Sequence, residues 1–357
     1  MSHPYTSLPP DRFWKTAVGA LSPFEISGLW TPKFRIGPRM TIVTAGSCFA
    51  QHFSRALVAR RYAWKDYEPG PSILTDAQRK DYHYGTFSFR TGNIYTPRML
   101  LQWLQWAFDM EPVPEEVWEK DGRYYDPMRP GVEPGGFASP GELHASRAET
   151  LAAIREAVTN TQVFVFTMGL TESWYNLETG HEYAICPGTI AGQFDPEKHA
   201  FRNHDFSAAS RDMRRAIKIL STQNRRIRIL LTVSPVPLTA TASDQHVLLA
   251  TSHSKSLLRA VAGEICEKYA NVDYFPSYEI ITAPAFRGMF FAPNMRSVTQ
   301  AGVDFVMQNF FNDQARVFGA NPAPKKAVKA PASPMDEDAD AEDDLRCEEE
   351  ILNSFAR

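Results

Sequence analysis

Four short apolar runs, each stopped by turn-forming residues and each joined to stretches of helical period, constrain this chain more than any other feature. The first covers about 41–45 and leads into a helix at 48–60, with Phe49, Phe53, Ala56 and Leu57 on one face. A helix at 140–158 precedes the run 163–167, which Gly169 ends. A helix at 207–222 precedes 227–233, which Ser234-Pro235 ends, and a helix at 247–268 precedes 272–275. A last helix, 299–311, closes the series. Near-continuous apolar strands alternating with helices predict a parallel sheet covered on both faces, a three-layer α/β/α sandwich.

Between these elements lie long stretches rich in turn formers. Residues 64–97 and 109–140, with Pro69-Gly70-Pro71 and Glu133-Pro134-Gly135-Gly136, are expected as loop excursions, and 176–205 as another. Long irregular segments in a compact domain usually build a lid or a binding surface. Met99 to Phe108 interrupts them with a helical face. The Pro-rich first forty residues carry Phe13, Trp14, Phe24, Trp30 and Phe34, and read as an ordered arm.

Composition excludes several classes. The 43% hydrophobic and 12% aromatic content of the 357 residues argues against wholesale disorder. The four cysteines, at 48, 186, 266 and 347, form neither a CxxC pair nor a disulfide framework, and fit a reducing compartment. The N-terminus has neither a basic nor an apolar leader region, and no window reaches 18 uninterrupted apolar residues, so the expected location is cytoplasmic, with no membrane span. Nucleotide, metal and zinc-finger motifs are lacking, so no cofactor, no metal and no nucleic-acid partner is expected. Of the 41 acids, ten lie between 336 and 350, leaving 31 against 36 bases over residues 1–335. The chain therefore divides into a body, 1–318, and an Ala/Pro/Lys linker with an acidic tail, 319–357, in which 345–355 has the pattern of a short helix. The tail is read as mobile and as suited to a basic protein partner.

The first strand ends in Gly46-Ser47, and a helix follows at once. A serine there stands at the C-terminal edge of a sheet, where open α/β folds keep their sites, beside helix-start N–H groups that favour negative charge. That placement suits a nucleophile; equally, serine is a favoured helix cap. Cys48 is the neighbouring rival, because a thiol at a helix N-terminus has a lowered pKa.

Several stretches resemble the GSCFA domain family in its order: Gly46-Ser47-Cys48-Phe49-Ala50, Asn93-Ile94-Tyr95-Thr96-Pro97, Gly169-Leu170-Thr171-Glu172-Ser173-Trp174, Ser234-Pro235-Val236-Pro237, Ser254-Lys255-Ser256 and Tyr274-Phe275-Pro276-Ser277-Tyr278-Glu279-Ile280. The resemblance implies an SGNH or GDSL-like, flavodoxin-like fold with ester or acyl-transfer chemistry. In such enzymes a Gly-x-Asn-Asp motif supplies an oxyanion donor; here Thr171 stands where the Asn would be. Their Asp-x-x-His is replaced by Asn294 and Ser297, neither of them a general base near neutral pH.

The expected site therefore has Ser47 as nucleophile and His246 as base, with Gly169, Thr171 and Asn93 holding the oxyanion. Glu172, Trp174, Asn294 and Arg296 would contact substrate, a small-molecule or glycan ester. Several have a plainer alternative: an Asx turn for Asn93, a surface histidine beside an Asp244 helix cap for His246, core packing for Trp174, an ion pair with Glu279 or Glu172 for Arg296. His83, His199 and His204, in the excursions, stay open as bases. The alternative function is a non-catalytic glycan- or acyl-binding domain using the same pocket.

Overall fold

The computed structural model describes residues 3–319 and 348–356. Strand β1 (Ile42–Gly46) leads into α1 (Phe49–Ala59); α2 (Asp76–Asp81) and α3 (Pro97–Ala107) follow. The hairpin β2 (Trp118–Lys120) and β3 (Arg123–Tyr125) precedes α4 (Pro140–Asn160) and β4 (Val163–Met168). Next come β5 (Glu172–Asn176), β6 (Glu182–Tyr183), β7 (His199–Asn203), α5 (Phe206–Gln223) and β8 (Arg228–Val233). The body ends with α6 (Val247–Lys268), β9 (Val272–Tyr274), α7 (Ser277–Thr282) and α8 (Gln300–Phe318).

The central sheet is parallel throughout, in the order β1-β4-β8-β9. Its side chains alternate between two cores. Val43, Ala45, Phe164, Phe166, Ile229 and Leu231 face α3, α4, α5 and α6. Ile42, Val163, Val165 and Leu230 face α1, α7 and α8. This is the expected α/β/α sandwich. The helices begin where local chemistry satisfies their first N–H groups. Thr96, Ser139, Asp205 and Thr299 cap α3, α4, α5 and α8 through side-chain oxygens.

Several expectations need correction. The excursion 176–205, with the residues just before it, contains a three-stranded antiparallel sheet, β6-β5-β7, and 109–140 contains the β2–β3 hairpin. Their strands are two to five residues long and mix polar with apolar side chains, so neither period shows. The closing helix runs on to Phe318, and a further short helix, α7, follows β9. In the N-terminal arm, Trp30 and Phe34 are buried, with Trp30 stacked on Phe310, whereas Phe13, Trp14 and Phe24 are exposed. Most of the expected tail unit, 320–347 and 357, lies outside the described residues. Its end, Glu348–Phe355, forms a 3-10 helix packed on the body.

Candidate active site

β1 closes the regular ladder, but its outer edge is covered: Ile42 bridges Trp64 in parallel, and Ser88 N–H donates to Thr44 O (3.2 Å). With that parallel bridge counted, the Trp64 segment lies on one side of β1 and the later strands on its other side, which places the reversal of order between β1 and β4. Ligands of doubly wound sheets bind in the crevice outside the strand ends at such a reversal. The residues at those two ends are Gly46-Ser47 and Gly169.

Gly46 has φ +135°, and a Cβ there would lie 2.7 Å from the Thr167 nitrogen and closer still to its oxygen. Only glycine lets β1 turn against β4 at this point. Gly169 serves the approach from the other strand: a Cβ on it would come within 2.9 Å of Ser47 Cβ and 3.1 Å of Tyr95 Cδ1. The segment 93–95 is tied in by Ile94 N–H to Gly46 O (2.9 Å) and Gly169 N–H to Tyr95 O (2.8 Å). Ser47, Gly169, Asn93 and Tyr95 thus form one wall.

Ser47 is 2% exposed, and its Oγ has no hydrogen-bond partner among the described residues. A buried hydroxyl without a partner is costly unless a ligand completes it. Cys48, by contrast, packs into the apolar core with Phe49 and Phe53.

The backbone donors expected around Ser47 are engaged. Ser47 N–H donates to Thr167 O (3.0 Å), and Thr171 N–H donates to Ser254 Oγ (3.0 Å). The Thr171 hydroxyl donates to Asn203 Oδ1 (2.7 Å). Asn93 is completely buried and is no simple turn residue: its Nδ2 donates to the Glu348 carboxylate, and Tyr95 O–H donates to the same oxygen (3.0 Å). Two side-chain donors thus converge on one anionic oxygen.

His246 stands elsewhere. It is exposed and caps α6 itself, its Nδ1 accepting Leu248 N–H (3.2 Å), the place expected for Asp244. Asn294 is likewise exposed; it closes a local turn, accepting from Arg296 N–H (3.0 Å) and Ser297 N–H (2.9 Å). Arg296 meets neither Glu279 nor Glu172 as an ion pair; its Nη1 lies 3.9 Å from Glu350, in the tail.

Of this wall, Tyr95 lines a cavity of about 310 Å³ together with Met99, Glu172, Trp174, Phe201 and Leu352, whereas Ser47 and Asn93 do not line it. Burial pushes the Glu172 carboxyl upward, against the pull of hydrogen bonds from Thr241 and Ala242. Trp174 packs edge-on to Phe194 and forms an apolar wall.

Sequence reasoning gave no role to Lys255. It is 1% exposed, and its Nζ donates to Gly169 O (2.7 Å), the carbonyl of the residue packed on Ser47. The signal is faint but present. Lys255 falls in the buried stripe of α6 with Leu258, Ala262 and Ile265, where an unpaired lysine would be costly.

No three His, Cys, Asp or Glu side chains cluster as metal ligands among the described residues, and no helix there is long and apolar enough to cross a membrane. Fold and crevice define a doubly wound α/β protein with a polar wall and an apolar pocket at the strand ends. The chain belongs to the GSCFA family, whose model matches residues 41–310. A search of curated proteins finds no match to it.

Proposed function

We propose that the protein is a serine-dependent ester hydrolase or acyltransferase with an SGNH-like site, acting on acyl groups. The observation that carries this reading is the buried, unpartnered Ser47 hydroxyl beside two donors, Asn93 Nδ2 and Tyr95 O–H, that already hold an anionic oxygen. In this reading Ser47 Oγ attacks the acyl carbonyl and forms the new C–O bond. Its proton passes to the Lys255 amine, whose Nζ lies on the carbonyl of Gly169 beside Ser47, in place of His246, which caps α6. Lysine serves as base to serine in known variants of the triad arrangement. Asn93 and Tyr95 hold the developing oxyanion, which preorganised donors in a dry site stabilise most effectively.

The leaving alkoxide takes the proton from Lys255. Water or a second alcohol then attacks the acyl carbon and gives its proton to Lys255; the bond to Ser47 Oγ breaks and Oγ takes that proton back. The apolar cavity beside Trp174 and Phe201 suits the acyl body. A carbohydrate or glycolipid is the substrate class that the family resemblance suggests. Hydrolysis of short-chain activated esters tests this. Ser47→Ala should abolish turnover by several orders of magnitude with the fold intact. A second reading, a non-catalytic binding domain, is favoured by the Asn294–Ser297 turn, which offers no imidazole to the crevice. It predicts ligand binding that survives Ser47→Ala and no turnover at all.

A further inference from the structure

The Glu348 carboxylate lies on the proposed oxyanion donors although it stands 255 positions along the chain from Asn93. Its approach is built into the wall. Gly92 has φ +66°, and a Cβ there would lie 2.7 Å from Glu348 Oε1. Gly131 opens the other side, where a Cβ would meet the buried His83 ring at 3.3 Å and Glu348 Cγ at 3.6 Å. Asn93 N–H adds a long contact to Oε1 (3.4 Å).

Further along the segment, Glu349 lines the cavity and Glu350 faces Arg296 Nη1 (3.9 Å). Leu352 and Phe355 then line the apolar cavity, with Ile351 and Leu352 packed on the main core. Glu348, Glu350 and the apolar side chains thus meet donors, a cation and the pocket in turn.

We propose that residues 348–355 are the resident occupant of the crevice, which takes ligands with a carboxylate-like anionic head and an apolar body, and that such a ligand must displace the segment to enter. The inference adds ligand class and regulation to the proposed function, and its ester-turnover arm rests on that reading. Twenty-eight residues separate Gly319 from Glu348. Because the segment belongs to the same chain, its docking is intramolecular and a ligand in solution competes at a disadvantage.

The test uses the full chain carrying Leu352→Asp and Phe355→Asp, which charges the apolar side of the segment and leaves the wall intact. A fluorescein-labelled peptide with the sequence of residues 345–357 is added in trans. It should bind this variant at least tenfold tighter than the unaltered chain, and a Glu348→Ala peptide should lose most of that affinity. Equal binding by both chains, no binding to the variant, or indifference to Glu348→Ala would overturn the proposal. Ester turnover should rise at least tenfold in the variant; a fall would mean that the segment completes the site, and would overturn it too. Absence of turnover in both chains would overturn the esterase reading alone, while the peptide measurement still decides occupancy. A melting curve matching the unaltered body confirms that the variant folds.

Discussion

At the scale of single residues, two glycines and one carboxylate carry the sharpest consequences. Gly46→Ala places a Cβ against the Thr167 backbone at φ +135°, so both contact and conformation oppose it. The change should cost about 3 kcal/mol or more in urea unfolding. Gly169→Ala instead presses on Ser47 Cβ and the Tyr95 ring, and should lower ester turnover far more than it lowers stability. Burial pushes the Glu349 carboxyl up to about 7, against the pull of Arg296 and Lys255 and with the push of Glu172 and Glu348. Undocked, the same carboxyl titrates near 4.5. Docking therefore favours the protonated form: its contribution is complete below about 4.5 and is lost as pH rises through about 7. Peptide binding in trans should be roughly tenfold or more tighter at pH 5.5 than at pH 8. Binding that strengthens with pH would contradict this. Ser47 was legible because strand, glycine, serine and helix follow one another in sequence. Lys255 was hidden because the carbonyl it binds, that of Gly169, lies 86 residues away in the chain. Glu348 was hidden because its partners lie 253 and 255 residues away.

At the scale of elements, α6 separates two accounts of the base. His246→Ala removes a cap and should cost about 0.5–2 kcal/mol in stability while leaving turnover intact. Lys255→Met should leave little turnover. The reverse pattern would return the base to His246. The excursion before α4 is held by another buried group: Asp126 binds Arg129 Nε (2.9 Å) and Arg147 Nη2 (2.7 Å), with all three side chains nearly inaccessible. Burial alone would raise the Asp126 pKa, but the two guanidiniums overcome it and bring it down to about 2. Its stabilisation is thus present above the usual carboxylate value of 3.8 and lost as pH falls through about 2. Asp126→Asn should cost roughly 3–5 kcal/mol, measured by thermal or urea unfolding, because it leaves buried guanidiniums short of charge. The long helices and the four parallel strands were legible because each repeats its period over several residues. The β5–β7 sheet was not, because strands of two to five residues, such as Glu172–Asn176, are set by their partners across the sheet rather than by their own pattern.

At the scale of the whole molecule, the sequence divides into a basic body and an acidic tail, and the structure joins the tail's end to a place where the body gathers donors, a cation and an apolar cavity. The sandwich exists to bring the ends of β1 and β4 together; the irregular segments supply Asn93, Tyr95 and Arg296 around them. The central claim is that Ser47 is the nucleophile of this crevice. It is tested most directly by treating the full-length Leu352→Asp, Phe355→Asp chain with a fluorophosphonate ester and mapping the adduct by mass spectrometry. One phosphonyl group on the peptide containing Ser47, absent after Ser47→Ala, is the result expected. A folded chain that takes up no phosphonate, or takes it up at another residue, would contradict the account.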